Sequence, residues 1–273
     1  MSNSVTRSAL GILAAAVTFG ATVSTAAAAD SERSVASNGS GLGAACAGLP
    51  THYQLESALS AARAQPNGGF NLDMWGTVVN RDGVVCAVAF TGSDRGQQWP
   101  GSRVISAQKA NTANAFSLPG LALSTANLWA AVQPGGSLYG LQHSNPVDTD
   151  TAYRGPASNF GQHDDPMGGR RIGGVNVFGG GLALYNYKKQ LVGAIGVSGD
   201  TSCADHNIAW RTRSTLHLDW VPAGVSVNGD DNINYQGIVA VPSLQSDFSH
   251  PICKIAGVDG VSGISAALPA IRK

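Results

Sequence analysis

Charged residues are scarce in this sequence, and those present cancel. Asp, Glu, Lys and Arg make up 12% of the 273 residues, with 17 basic and 17 acidic side chains. A nucleic-acid-binding surface needs a basic stripe, so the composition argues against a nucleic-acid partner. A surface with so few charges must be covered by uncharged polar groups, by backbone or by protein partners. We therefore expect the chain to form a homo-oligomer.

Long hydrophobic runs are also missing after residue 29. The first 29 residues carry Arg7 as their only charge, are apolar and small from residue 9 to about 23, and end in four alanines before Asp30. This order is typical of a secretory signal peptide with an A-x-A cleavage site. A transmembrane anchor is the alternative, but Gly and Thr interrupt the run, which is shorter than the roughly 20 apolar residues that span a bilayer. We predict a signal peptide over 1–29, no membrane span, and a periplasmic or secreted mature chain.

Cysteine is rare, and no two cysteines have the C-x-x-C spacing of a redox motif or a zinc ribbon. All four lie in the predicted mature chain, and an even number in an oxidising compartment favours disulfides. Three pairings are open. We prefer Cys46 with Cys86 and Cys203 with Cys253, because each pair would tie a flexible end of the mature chain to a regular element. Free thiols are the alternative.

The rest of the chain is expected to be one domain over residues 45–273. Residues 30–44 are rich in Gly and Ser and lack periodicity, which predicts a disordered leader. Residues 133–171 are rich in Gly and Pro and predict a long surface loop of the kind that is commonly functional. The tail, 222–273, is rich in Gly, Asn and Asp, and we expect it to wrap the surface until Cys253 holds it.

Hydrophobic periodicity and turn residues predict an α+β fold. A helix should begin after Thr51, and the Asp82-Gly83 turn predicts a hairpin. Further helical patterns cover 103–116, 124–132 and a segment from the 198–201 turn to about 218. The predicted strands are 74–79, 84–90, 175–178, 181–186 and 190–197. Five strands joined mainly by hairpins indicate an antiparallel sheet with helices packed on it.

Three segments resemble the GlcG/HbpS family of haem-binding proteins. Residues 191–199, LVGAIGVSG, followed by a capped helix, resemble its signature segment. Residues 106–113, SAQKANTA, resemble its Lys-Ala-x-Thr-Ala helix, and 172–184 resemble its Gly-rich strand pair. With the hairpin, the resemblance covers 51 to about 218 in the right order. The leader, the 133–171 loop, the tail and the four cysteines depart from the short family form.

The resemblance implies a profilin-like fold, with a five-stranded antiparallel sheet flanked by helices, often in oligomers. It also implies haem as the cofactor, because family members are associated with binding haem and some with degrading it. Others have cobalamin-related or glycolate-associated roles.

The last predicted helix carries a candidate haem site. His206 and Trp210 are four residues apart, and Arg213 and His217 continue the same face. Imidazole, indole and guanidinium together would suit a porphyrin, with a nitrogen for iron, a ring to stack on the macrocycle and a cation for a propionate. The alternative is a surface stripe in which the histidine caps or pairs locally.

Lys109 and Thr112 form a second candidate pair, three residues apart on the helix at 103–116. Lys109 could pair with a propionate or another carboxylate, whereas a hydroxyl is a poor iron ligand on its own. The alternative is structural, with the Thr112 hydroxyl bonded back to its own helix.

The turn Ser198-Gly199-Asp200-Thr201 joins a strand to a helix. Its spacing is not the G-x-S-x-G of a hydrolase nucleophile. We interpret Ser198 and Asp200 as capping residues, and the backbone N–H groups of the turn as a candidate anion-binding site.

Two further patterns have weaker claims. His163, Asp164 and Asp165 have metal-binding side chains, but adjacent residues rarely converge on one ion and Pro166 indicates a turn, so we expect a solvated loop and no metal site. The run Gly179-Gly180-Gly181 lacks the Gly-Lys-Ser/Thr of a phosphate loop, so close strand packing or a bulge is favoured.

Three functions are therefore open. The first is an exported protein that binds or handles haem. The second is an envelope enzyme acting on a small organic acid or carbonyl compound, with Lys109, the 198–201 turn and a histidine lining a pocket. The third is a structural partner module.

Protein recovered from outside the cytoplasm should begin at Asp30, because the alanines at 27 and 29 form the A-x-A site. Intact mass and N-terminal sequencing measure this directly. A variant with Ala29→Arg should keep residues 1–29, and a wild-type chain that begins at Met1 outside the cytoplasm would contradict the prediction.

Overall fold

The fold is described from a computed structural model that covers residues 42–236, 247–253 and 264–273, all within the compact unit Ser37–Lys273. The predicted signal peptide and residues 30–41 of the predicted leader lie outside these ranges. The last leader residues belong to a short 3-10 helix, Gly43–Cys46, and Leu42 packs against the core. Regular structure therefore begins slightly before the predicted boundary at residue 45.

A four-stranded antiparallel sheet forms the centre of the α+β fold. Its strands are β1 (Trp75–Asn80), β2 (Val85–Phe90), β3 (Gly181–Tyr185) and β4 (Leu191–Ser198), in the order β2-β1-β4-β3. The hairpin between β1 and β2 is confirmed: the Asn80 carboxamide oxygen accepts the N–H groups of Asp82 and Val84, and Gly83 has a φ of 74°.

The predicted fifth strand at 175–178 is wrong for the described residues. Its backbone is bonded by side chains instead of by a neighbouring strand. The N–H of Asn176 donates to Thr112 Oγ1, the Gly174 carbonyl accepts from Asn111, and the Phe178 carbonyl accepts from Thr125. These partners take the places that a strand ladder would need.

Helices cover both faces of the sheet. Helix α2 (Ser102–Phe116) packs on one face, and α1 (His52–Arg63) and α5 (Ser202–Thr215) pack on the other. Because both faces are buried, the strands are almost continuously apolar. Helix α2 lies so close to β3 and β4 that a Cβ at Gly181 or Gly196 would clash with its backbone. Close packing therefore explains the glycine at 181.

The segment at 133–171 is more ordered than an unbroken loop. It contains the one-turn helices α3 (Leu141–Ser144) and α4 (Thr149–Ala152). Buried Arg103 of α2 forms a bidentate ion pair with buried Asp165, donates to the Ala152 carbonyl and stacks on Phe160. Just before it, the predicted helical piece at 124–132 is two 3-10 helices, Thr125–Leu128 and Ala130–Val132.

The described parts of the tail run back over the fold. Strands β5 (Asn234–Tyr235) and β6 (Ser249–His250) form a small parallel sheet. Farther on, the Pro269 carbonyl accepts from Trp210, and Arg272 forms an ion pair with Asp219. No helix among the described residues is both long and apolar enough to cross a membrane.

Two disulfides join the ends of the described chain to regular elements. Cys46 is bonded to Cys86 of β2, and Cys203 of α5 is bonded to Cys253, with sequence separations of 40 and 50 residues. This is the pairing that the sequence favoured. It leaves no free thiol among the described cysteines.

Replacing Cys203 and Cys253 by Ala should lower the free energy of unfolding by about 3–4 kcal/mol, because the unfolded chain gains the freedom of an open loop. Chemical denaturation compares this variant with wild type, and the Cys46→Ala/Cys86→Ala variant serves as the matched case. Wild-type protein unfolded without reductant should show no reactive thiol. Four free thiols in exported protein would contradict the pairing.

Candidate functional site

Helix α5 is the buried element that carries the candidate haem residues. Thr201 caps it by accepting the N–H of Ala204, and the helix then packs against α1 and the sheet. His206, Trp210 and Arg213 all lie on its buried side. The surface-stripe alternative is therefore wrong for these three residues. His217, by contrast, lies beyond the helix end, is exposed, and contacts Arg272 through its Nδ1.

Arg213 has an internal carboxylate partner. Its two terminal nitrogens bind both oxygens of Asp231 at 2.6 and 2.8 Å, and each side chain is 0% exposed. Burial, the largest single effect, lowers the pKa of Arg213, but Asp231, Asp219 and Asp230 together outweigh it, so the pKa is raised. The same guanidinium stacks 4.7 Å from the Trp210 ring centroid. Arg213 is therefore engaged by the protein and is not presented to a propionate.

His206 is the least satisfied polar side chain of the site. It is fully buried, and neither ring nitrogen has a hydrogen-bond partner among the described residues. Burial, together with the charges of Arg213 and His250, lowers its pKa to about 3. The Asn232 side chain lies close enough to oppose this shift, but it does not meet hydrogen-bond geometry with either ring nitrogen. The imidazole is therefore neutral at physiological pH, which is the form that binds metals.

Three segments from distant parts of the chain surround His206. A Cβ at Gly179 would lie 3.1 Å from its Cβ, so the glycine run before β3 packs directly on it. The Trp210 ring centroid is 6.0 Å away. Asn232 and His250, from the tail, act on its pKa. The imidazole thus lies beneath a cover made partly of tail residues.

Lys109 forms a buried ion pair with Asp205 of α5. Its Nζ lies 2.7 Å from the Asp205 carboxylate and 3.0 Å from the Val197 carbonyl. Burial lowers the pKa of Lys109 and raises that of Asp205 to about 6, in each case against the attraction of the partner. Lys109, like Arg213, already has a carboxylate of its own.

Thr112 has a structural role, as the alternative interpretation of the Lys109–Thr112 pair predicted. Its hydroxyl donates to the Gln108 carbonyl one turn earlier and accepts the N–H of Asn176. It is fully buried. The hydroxyl therefore has both a donor and an acceptor partner within the protein.

The 198–201 turn holds carboxylates that belong to the protein itself. The N–H of Asp200 donates to Asp205, and the N–H of Thr201 donates to Asp200. The Asp200 carboxylate also accepts from the N–H groups of Phe70 and Leu72. These N–H groups donate to carboxylates of the protein, and Lys109 is paired with Asp205, so an organic acid would have to displace these partners to bind them.

The His163-Asp164-Asp165 run separates in the structure. Asp165 turns inward to Arg103, whereas Asp164 accepts from Asn159 at the surface and His163 is exposed. Over the described ranges, no group of three or more His, Cys, Asp or Glu side chains could hold a metal ion.

Two residues that the sequence analysis gave no role lie at this site. His250 accepts from or donates to Ser202 Oγ over 2.7 Å, and its ring lies 6.0 Å from that of Trp129. Ser202 directly follows the helix cap, so its place at the start of α5 could have been predicted from the sequence. His250 could not have been placed, because only the fold brings residue 250 to the start of α5.

Comparison with known proteins gives one family match. Residues 51–213, more than half of the chain, match the model of a family described as haem degrading protein, HbpS-like. No curated protein matches the chain.

Several solved structures are similar to parts of the chain. A PduOC–haem complex is 23% identical, over 60% of this chain and 89% of that one, with a TM-score of 0.41. Klebsiella pneumoniae protein ORFY, of family DUF336, is 26% identical over 61% and 90%, with a TM-score of 0.40. HbpS is 17% identical over 60% and 86%, with a TM-score of 0.36.

Replacing His206 by Leu should stabilise the protein at pH 7, by about 1–3 kcal/mol, because two buried unpaired nitrogens disappear. It should also change the response to acid. The folded-state pKa of about 3 lies below the ordinary 6.5, so the unfolded wild-type chain takes up the proton first and stability falls as the pH drops below about 6.5.

The His206→Leu variant should lack the part of the acid-induced fall in unfolding free energy that comes from protonation of His206. This part amounts to up to about 1.4 kcal/mol per pH unit. Denaturation from pH 7 to pH 4 measures both effects, with exposed His163→Leu as the control that should change neither. A clear loss of stability in His206→Leu at pH 7 would show that the imidazole stabilises the fold.

Proposed function

Because the chain belongs to the HbpS-like haem-degrading family, we propose that it is an exported protein that binds or handles haem in the cell envelope. The observation that carries this proposal is the state of His206. A buried histidine with two unpaired nitrogens is unfavourable for folding by about 1–3 kcal/mol. A bond to haem iron would satisfy one of these nitrogens, and a pKa of about 3 means that protons would not compete for it.

Some residues around His206 suit haem binding and others do not. His206 suits the role of iron ligand, and the neighbouring Trp210 offers an aromatic ring. Arg213 and Lys109 do not suit propionates as they stand, because Asp231 and Asp205 hold them. Bound haem would supply a redox-active iron. This chain would supply the imidazole and a buried surrounding for it.

Haem binding at His206 requires the groups that cover the imidazole to move, because the side chain is fully buried. The tail is the part of the cover with the fewest ties to the sheet. Its residues 247–253 are held by the short β5–β6 pairing, by Ser202 and by the Cys203–Cys253 disulfide. We assign the opening movement to this segment.

Export is supported by two independent features. The first 29 residues have the charge, length and cleavage site of a signal peptide. The described cysteines are paired in two disulfides, which form and persist in oxidising compartments. A periplasmic or secreted location accounts for both. Assembly into a homo-oligomer is part of the same proposal and rests on the low charge content.

Titration of residues 30–273 with hemin should give a saturable Soret shift at micromolar concentration. In His206→Leu the affinity should fall at least about tenfold, because the iron loses its ligand. His163→Ala removes an exposed histidine and serves as the matched control, with an expected affinity equal to that of wild type.

The two parts of the proposal fail separately. Absence of a saturable shift in the folded, oxidised wild type would overturn haem binding. A wild-type shift in His206→Leu would overturn only the ligand assignment.

A further inference from the structure

Ser202 and His250 form a hydrogen-bonded pair at the start of α5 that the haem proposal does not use. Ser202 Oγ lies 2.7 Å from His250 Nε2, and His250 Nδ1 lies 2.7 Å from the Pro251 carbonyl oxygen. A hydroxyl within hydrogen-bond reach of an imidazole that a third group orients is the arrangement of an activated nucleophile.

The Pro251 contact determines the direction of this hydrogen bond. A carbonyl can only accept, so the proton of the neutral imidazole lies on Nδ1 and the lone pair lies on Nε2. Burial is the main cause that lowers the pKa of His250 to about 4, which keeps the ring neutral at physiological pH. The Ser202 hydroxyl therefore donates to His250 Nε2, and this nitrogen is the atom placed to accept its proton.

Two features stabilise negative charge on Ser202 Oγ. The N–H of Gly179 donates to this oxygen at 2.6 Å. Ser202 is also the first residue of α5, a helix of 14 residues, where the aligned peptide dipoles favour an anion. Both effects make the hydroxyl easier to deprotonate than an isolated serine.

The surroundings offer a donor for an oxyanion and a surface for an acyl group. The N–H of Cys203, the residue after Ser202, donates only to the Cys253 sulfur at 3.3 Å, a weak acceptor that an oxyanion would replace. Ser202 is partly exposed, Phe178 beside Gly179 is 48% exposed, and half-buried Trp129 packs edge-on against His250.

His206, whose ring nitrogens have no hydrogen-bond partner among the described residues, lies beside this pair. His206 lies one helical turn after Ser202, and Gly179 packs against both residues. Buried polar side chains usually have hydrogen-bond partners. One that lacks a partner next to a hydrogen-bonded Ser–His pair therefore indicates a binding site for a polar ligand.

We propose that Ser202 is the nucleophile of an acyl-transfer site with His250 as its base, acting on small esters with an apolar acyl group. Ser202 Oγ forms a bond to the acyl carbon while its proton passes to His250 Nε2. The bond from that carbon to the leaving oxygen breaks, and the alcohol departs with the proton. Water then attacks the acyl-serine through the same histidine, which releases the acid and restores the hydroxyl.

A fluorophosphonate probe tests the nucleophile without a known substrate. It should label the folded, oxidised wild-type chain at Ser202, as located by peptide mass mapping, and p-nitrophenyl acetate should be hydrolysed with a burst. Ser202→Ala should abolish both, and His250→Gln should slow labelling by at least about 100-fold, since it removes the base. Ser214→Ala, a partly buried serine at the other end of α5, should behave as wild type.

Melting curves and thiol counts of each variant separate loss of the site from loss of the fold. Labelling of the wild-type chain tests the nucleophile without any substitution that could disturb the fold. No label at Ser202 in the oxidised wild type would overturn the proposal, and so would labelling of folded His250→Gln at the wild-type rate. Neither result depends on whether the protein binds hemin.

Discussion

The fold depends on the buried ion pair between Lys109 and Asp205, which connects the two sides of the sheet. Lys109 belongs to α2 on one face, and Asp205 belongs to α5 on the other. The lysine reaches past the end of β4, where the Val197 carbonyl also accepts from it. A Cβ at Gly180 would lie 3.3 Å from Nζ and would clash with Val197, so only glycine fits there. The glycine at 180 therefore lets the backbone pass close to the Val197 carbonyl that Lys109 binds.

Two other buried pairs extend the same principle in a chain with few charges. Arg103 with Asp165 holds the 133–171 segment to α2, and Arg213 with Asp231 holds the start of the tail to α5. A buried ion pair adds little net stability to the fold. Removing one partner, however, leaves the other charge buried without a counterion, which destabilises the protein by about 3–5 kcal/mol. The charges thus act mainly as positional links between segments that the apolar core alone would leave in several arrangements.

Local chemistry made much of the fold predictable. The Asn80 turn and the Thr51 cap are decided by neighbouring residues, and they lie where the sequence placed them. The prediction that Ser198 and Asp200 cap α5 is wrong: Thr201 is the cap, because the Asp200 carboxylate is taken up by the N–H groups of Phe70 and Leu72. The ion pairs that occupy the buried side of α5 could not be predicted from the sequence. Lys109 lies 96 residues from its partner Asp205, and Arg213 lies 18 residues from Asp231. The segment at 175–178 has strand-like composition, yet side chains of other segments bond its backbone.

In a chain exported as proposed, formation of the Cys203–Cys253 disulfide would be a maturation step. His250 lies three residues before Cys253, and Ser202 directly precedes Cys203, so this one covalent bond holds the imidazole against the start of α5. A nascent chain in a reducing cytosol lacks the bond, and among its described contacts the segment 247–253 then keeps the short β5–β6 pairing and the Ser202–His250 hydrogen bond. The cover over His206 and the Ser202 pair would then be completed only after export. The Ser202–His250 pair would be fixed in place only on arrival, whereas His206 would be less covered before export than after it.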